Sequence, residues 1–274
     1  MCRRAGVPRL IEKGASPHGY WGHAPYGLTG SHPCYGTRVQ PSAISWYDAH
    51  ASRLAVAYEA VPPTVTRDWL ADLLPPPPAV IIDVGAGTGR DAGAFAAAGY
   101  EVIAVEPSTA MRAEAEARHP SPRIRWLADS LPALTTASRW GVAADVVSLS
   151  AVWQHVAPAD RVRAFGKLVS LLRSGGLLVM TLRHGPDNGR GGHLVSLAEV
   201  ETLARNHGMQ MVRAVPSPDL QGRPDISWTA VVLRLPDDGT GALPLLRHLI
   251  LQEAKSATCK LGHLRAPMSA KTKS

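Results

Sequence analysis

Between residues 79 and 235, short apolar runs alternate with segments of helical period. Ala79–Val84, Glu101–Val105, Arg123–Leu127, Asp145–Leu149 and Leu177–Leu182 read as buried strands. Helices are predicted between them. One runs over Arg90–Ala98 and ends at Gly99; another runs from a Ser108 cap to about Arg118; a third runs from an Asp160 cap to about Arg173. Gly175-Gly176 then turns the chain into the fifth strand. Ser196-Leu197-Ala198-Glu199 is a capping box that opens a helix closing at Gly208. Met209–Val215 and Ser227–Leu235 are the last two strands, with no helix between Val215 and Ser227. The final strand is therefore expected to return antiparallel. Alternation of short buried strands with helices predicts an α/β fold whose mostly parallel sheet is covered on both faces.

Upstream, Ser45–Ala60 reads as a helix capped by Ser45 and broken by Pro62-Pro63. A second helix is expected from about Thr64 to Leu74, with Pro75–Pro78 as a stiff spacer before the first strand. Residues 1–40 hold many Gly, Pro, His and Tyr without a sustained period and read as a flexible tail. Residues 237–274 read as a linker followed by a basic helical appendage over about Leu243–Leu264. The domain proper is thus expected over residues 41–236.

The chemistry starts at the end of the first strand, in Asp83-Val84-Gly85-Ala86-Gly87-Thr88-Gly89. Glycines let the loop adopt positive φ and let a ligand lie on bare backbone. The helix that follows points free N–H groups at the same spot. A phosphate-binding P-loop is excluded, because Arg90-Asp91 follows where Lys and Ser/Thr are needed. A dinucleotide turn fits badly: Gly89 comes one position too early, and Asp83 would repel a pyrophosphate. An acid there suits a ligand with a cationic amine. Glu106, Asp129 and Ser150 each follow a later strand, so four polar residues stand on one rim of the sheet.

This pattern resembles motif I and the strand-end acids of the class I S-adenosylmethionine (SAM)-dependent methyltransferases, over roughly residues 46–236. The resemblance implies a seven-stranded Rossmann-like methyltransferase fold, SAM as cofactor, and methyl transfer as the activity. It implies that Asp83, Gly85, Ala86, Gly87 and Gly89 hold the methionine end, and that Glu106 takes the ribose hydroxyls beside Pro107. Asp129, Ser130 and Leu131 take the adenine, with Ile103 sharing the ring sandwich, and Ser150 borders the methionine. His155 is the first candidate for a general base and His184 the second. By position, Tyr47 closes over the methionine, and Arg183, Arg190 and His193 reach an acceptor bearing negative charge. No metal site is read.

Charge narrows the acceptor. The net +7 is concentrated at the two ends, leaving a mildly acidic middle. A small-molecule acceptor is expected. RNA or DNA held by the basic termini is the alternative acceptor, and a non-catalytic SAM-binding module is the alternative of another class. The site lacks the Asn-Pro-Pro-Tyr-like tetrad of many nucleic-acid amino methyltransferases; Ser148-Leu149-Ser150-Ala151 stands there. Cys2, Cys34 and Cys259 fit no disulfide framework or zinc knuckle. The apolar runs are strand-sized, and Met1–Lys13 lacks a continuous apolar stretch. A cytoplasmic protein without a membrane span is expected; no oligomer interface can be read.

Overall fold

The structure is a computed structural model of the 274-residue chain, and it describes residues 43–63, 68–187, 189–217 and 219–238. The expected N-terminal tail and the basic C-terminal helices lie outside the described residues, as do the basic side chains they carry.

Seven strands form one sheet: β1 Val80–Val84, β2 Glu101–Val105, β3 Ile124–Leu127, β4 Ala144–Leu149, β5 Leu172–His184, β6 Gln210–Ser217 and β7 Ser227–Arg234. Their order is β3-β2-β1-β4-β5-β7-β6. β1 to β5 pair in parallel, and β7 runs antiparallel to both β5 and β6. The chain steps outward from β1 to β3, then crosses back to β4 on the other side of β1. That reversal opens a crevice at the carboxyl ends of β1 and β4.

Among the described residues six helices accompany the sheet: α1 Ala43–Glu59, α2 Arg90–Ala97, α3 Thr109–Arg118, α4 Thr135–Arg139, α5 Arg161–Ser170 and α6 Leu197–Asn206. Strand pleating divides the core. Ile82, Val84, Val147, Leu149, Leu178 and Met180 face α5 and α6, and pack with Phe165, Leu168 and Leu203. Ile81, Val102, Val146 and Val179 face the other way, onto Ala92 and Phe95 of α2. Both faces are buried, which is why the strands read as near-continuous apolar runs. Asp83 alternates with Ile82 and Val84, so it shares the α2 face with Ile81. Ile103 belongs to the opposite, fully covered core rather than to a ligand surface.

Several local expectations are revised. Ser45 lies inside α1 instead of capping it. Of the helix expected from about Thr64 to Leu74, residues 64–67 lie outside the described residues, and the described part holds a 3-10 turn, Asp68–Leu70, and then turns to Leu74. A helix there would need the N–H groups of residues 75–78 for its last carbonyls, and all four are proline. Asp160 precedes α5 but makes no side-chain cap; the turn Pro158–Asp160 feeds the helix directly. Ser196 caps α6 by accepting from the Glu199 N–H at 3.2 Å, but the Glu199 carboxylate goes to Arg161 at 2.6 Å. β5 begins at Leu172, earlier than Leu177, because the register against β4 shifts between Ala144 and Val146. Gly175, at φ 79, sits in the resulting irregularity and donates its N–H to the Leu235 carbonyl at 2.8 Å. α4 has no counterpart in the sequence reading. Among the described residues no helix is long and apolar enough to cross a membrane.

Candidate active site

Asp83 is the penultimate residue of β1 and is 2% exposed. Its register partner on β4 is Ser148, whose side chain hydrogen-bonds it. Burial pushes the Asp83 carboxyl up to about 8, and the neighbouring charge of Asp91 adds to the rise. Arg90 and the Ser148 hydrogen bond pull the other way without prevailing.

The turn after β1 is fixed at its base. Gly85 and Ala86 both donate N–H to the Val105 carbonyl, at 2.7 and 3.0 Å. Gly85 sits at φ 73, and a Cβ there would lie 2.4 Å from Cγ2 of Val152. Gly87, at φ 57, faces open space, with only the Met111 methyl at 3.7 Å and a carbonyl at 4.0 Å near a built Cβ. The turn therefore offers bare backbone at Gly87 while Gly85 locks it to the loop after β4.

Glu106, directly after β2, is 7% exposed. Its Oε2 accepts the Gly87 N–H at 2.9 Å and its Oε1 accepts the Ser108 N–H at 2.8 Å. Burial raises its pKa, and the two backbone N–H groups oppose that rise. Each oxygen keeps a lone pair for a further donor. Asp129, after β3, is differently occupied. Its Oδ1 accepts the Ser130 N–H at 2.8 Å, and its Oδ2 accepts the N–H groups of Thr136 and Ala137 at 2.7 and 3.0 Å. It therefore caps α4, whose own N-cap residue, Leu134, has no side-chain acceptor. Replacing Asp129 with Ala is expected to cost about 1–2 kcal/mol of stability through loss of this cap. Urea unfolding measures it, and unchanged stability would mean that the cap contributes nothing.

The loop after β4 starts at Ser150 and Ala151; Ala151 has φ 58 and donates its N–H to Thr181 Oγ1 at 2.8 Å. A 3-10 turn, Trp153–His155, follows. His155 Nε2 lies 3.3 Å from the Tyr47 hydroxyl of α1, with the two rings edge to face. Burial, then the charge of Arg190, lowers the His155 pKa to about 4. Its Nδ1 is buried with no hydrogen-bond partner. Burial also raises the Tyr47 phenol well above its ordinary value.

α1 is pinned over this region at both ends. Asp48 Oδ1 accepts from the Ser108 hydroxyl at 2.6 Å and from the Ala110 N–H at 3.1 Å. Glu59 Oε1 accepts from the Thr88 hydroxyl at 2.6 Å and lies 3.1 Å from His119 Nε2.

These elements enclose a cavity of about 490 Å³. Asp83, Gly85, Ala86, Gly87, Glu106, Pro107, Asp129, Ser130, Leu131, Ser150 and His155 line it, together with Tyr47, Arg183 and Arg190. Gly89, His184 and His193 are not among the lining residues. Gly89, at φ 80, closes the turn against Trp126, Ala115 and His119. His184 alternates with Arg183 on β5, shares its face with Leu182, and binds Thr229 Oγ1 at 2.8 Å. His193 donates its backbone N–H to the Gln154 carbonyl at 2.7 Å. The sequence reading missed the wall supplied by Asp219, Arg223 and Trp228. Trp228 is the register partner of Arg183 across β5 and β7, so the antiparallel return of β7 was the available signal.

Residues 81–176 match the family model of a methyltransferase domain, from β1 through the start of β5. No curated protein sequence matches the chain. Solved structures share the fold. 1,6-Didemethyltoxoflavin-N1-methyltransferase of Burkholderia thailandensis, solved with 1,6-didemethyltoxoflavin and S-adenosylhomocysteine (SAH), is 20% identical at a TM-score of 0.56. The match covers 78% of this chain and 95% of that one. Magnesium protoporphyrin IX methyltransferase of Synechocystis PCC 6803, solved with bound SAM, is 16% identical at a TM-score of 0.51. It covers 69% of this chain and 83% of that one. The seven-stranded order with an antiparallel β7, the matched domain and the acid-rimmed glycine turn coincide in one stretch of chain. Residues 81–176 thus match a methyltransferase domain, and the chain shares the fold of solved SAM-dependent methyltransferases.

Proposed function

We propose that the protein is a cytoplasmic enzyme that methylates a small-molecule acceptor in the cavity beneath α1. The observation that carries this reading is the enclosure itself. Tyr47 and Tyr58 of α1, the Trp153–His155 turn, the end of β5 and the connection from β6 to β7 all contribute to one cavity of about 490 Å³. A pocket walled from so many segments suits a metabolite better than a polymer.

The residues present fit SAM. Asp83 is a carboxyl that burial, with the charge of Asp91, holds mostly neutral at pH 7, and an ammonium group would favour its ionised form. The two spare lone pairs of Glu106 suit two adjacent ribose hydroxyls. Gly87 leaves room for a ligand against backbone. Asp129 acts first as the cap of α4, and its Oδ1, with one N–H partner, keeps capacity for an adenine amino group. Ala86, Pro107, Ser130, Leu131 and Ser150 complete the lining around these polar anchors. Bound there, the cofactor supplies a methyl group already activated on a sulfonium centre. The protein aligns the acceptor, excludes water and takes up any proton released.

His155 is the base in this reading. Its lowered pKa leaves the ring neutral at pH 7. Its Nε2 lies 3.3 Å from the Tyr47 hydroxyl, which also lines the cavity, so the pair can pass on a proton. His184, bonded to Thr229 on the other face of β5, has no role in it.

Incubation with methyl-labelled SAM and a bacterial extract separated into metabolite, nucleic-acid and protein fractions tests the proposal. Label is expected in the metabolite fraction. The His155→Ala variant should lower labelling by about 10²–10⁴-fold while SAH still binds. Label in nucleic acid overturns the small-molecule acceptor, and SAH binding without any transfer favours a binding module.

A further inference from the structure

The acceptor end of the cavity carries more positive charge than its own residues neutralise. Three arginines line it: Arg183 at the end of β5, Arg190 in the following loop, and Arg223 before β7. Arg223 is spoken for. Its Nη2 lies 2.5 Å from Asp219 Oδ1 and its Nε 3.1 Å from Asp219 Oδ2, and Trp228 Nε1 donates to the same Oδ1 at 2.9 Å. Arg183 and Arg190 have no carboxylate within ion-pair distance among the described residues. Arg190 donates to the Tyr58 hydroxyl at 3.3 Å, also interacts with the Tyr47 hydroxyl, and its guanidinium stands 4.6 Å from the Trp46 ring. The Arg183 Nε is buried with no acceptor. Asp187 and Asp219 line the same cavity and offset part of this charge at Arg183, but Asp219 is paired with Arg223, and Asp187 accepts the Gly192 N–H at 3.1 Å and is exposed.

Two guanidinium groups lining one cavity, neither paired with a carboxylate, form an incomplete anion site. Burial and the charges of Arg223 and Arg190 together lower the Arg183 pKa, so the protein holds these cations close at a cost. Arg190 also depresses the His155 pKa. An anion between the arginines relieves both effects and makes His155 a stronger base. Trp228 lies beside Arg183 across the strands, and Tyr47 and Tyr58 add two more aromatic side chains to the lining of the same cavity.

We infer that the methyl acceptor is a small planar organic anion, a carboxylate in the simplest case, held through Arg183 and Arg190. This rests on the reading of the cavity as a methyltransferase site for a small molecule. The same two arginines could otherwise serve the carboxylate of the cofactor itself, and the experiment separates the two sources.

The full-length protein, saturated with SAH, is titrated calorimetrically with benzoate, salicylate and indole-2-carboxylate, each against its neutral amide. At least one carboxylate should bind tenfold or more tightly than its amide. Arg183→Gln and Arg190→Gln should each erase that preference while SAH affinity stays within threefold. Arg183→Lys and Arg190→Lys keep the charge but lose the planar fork, and should retain part of it. If the Gln variants lose SAH binding instead, the arginines hold the cofactor's carboxylate and the inference fails. It fails equally if no carboxylate outbinds its amide, or if the Gln variants bind carboxylates as the parent does. Absence of SAH binding in the parent protein is a separate outcome: it strikes the methyltransferase reading itself.

Discussion

Replacing Asp83 with Asn should remove most of the loss of stability that the ligand-free protein suffers as pH rises from 5 to 9. The folded chain holds the Asp83 carboxyl at about 8, against an ordinary value of 3.8. Between those two values the native state binds more protons than the unfolded chain. The contribution of this group is fully present below 3.8 and is lost as pH rises through about 8. Across that window the loss is on the order of 5 kcal/mol, at about 1.4 kcal/mol per pH unit. Asn has the shape of the protonated acid and cannot ionise, so the variant should overtake the parent protein within that window and keep a constant lead above pH 8. His155 works in the opposite sense. Its pKa falls from 6.5 to about 4, so its contribution is lost as pH drops through that range. That acid-side loss is common to both proteins and cancels in their difference. Urea unfolding at a series of pH values gives the comparison, and parallel curves for the two proteins would place the titration elsewhere.

The same group links cofactor binding to a proton. At pH 7 the Asp83 carboxyl is mostly protonated, and an ammonium partner favours its ionised form. Binding of SAH should therefore release close to one proton. Calorimetry in buffers of different ionisation heat reads that release, and the Asn variant should show none while binding more weakly.

The place of Asp83 on the cavity lining was legible from its position alone, as an acid two residues before a glycine turn at the end of an apolar run. Glu106 was legible in the same way, because β2 is a buried run with one acid at its tip. Both faces of this sheet are covered, so its strands announce themselves as apolar stretches. What was hidden falls where sequence periodicity stops. α4 is a single polar turn, Thr135–Arg139, that depends on Asp129 for its N-terminal acceptors. Nothing in Thr-Thr-Ala-Ser-Arg marks it as a helix. Asp129 therefore read as a ligand residue when much of its hydrogen-bonding capacity supports the fold. The wall around Arg183 joins segments far apart in sequence, and only the pairing of β5 with β7 brings Trp228 beside it. The choice between His184 and Arg183 did lie in the sequence. Adjacent residues of a strand point to opposite faces, and His184 follows the parity of Leu182 and Met180, which pack against α5 and α6.

Glu106 carries the largest effect expected on cofactor affinity, and the Gln substitution shows why. Its two oxygens accept from two separate backbone donors, the N–H groups of Gly87 and Ser108. An amide has one acceptor oxygen, so in either orientation its NH₂ meets one of those N–H groups. The Gln variant thus leaves a buried donor unmatched and loses one ribose acceptor, while Ala loses all four interactions. Each hydrogen bond to a charged acceptor is worth about 1.5–3 kcal/mol. Loss of two ligand hydroxyl contacts in Glu106→Ala should weaken SAH binding by roughly 10²-fold or more. The pattern of selectivity is the sharper test. The parent protein should prefer SAH over its 2′-deoxy analogue by at least tenfold, because the missing hydroxyl leaves a buried carboxylate oxygen unpaired. Glu106→Ala should bind the two alike. A variant that binds SAH weakly yet keeps the full preference for the 2′-hydroxyl would mean that another group reads the ribose, and that Glu106 serves only to brace the turn at Gly87.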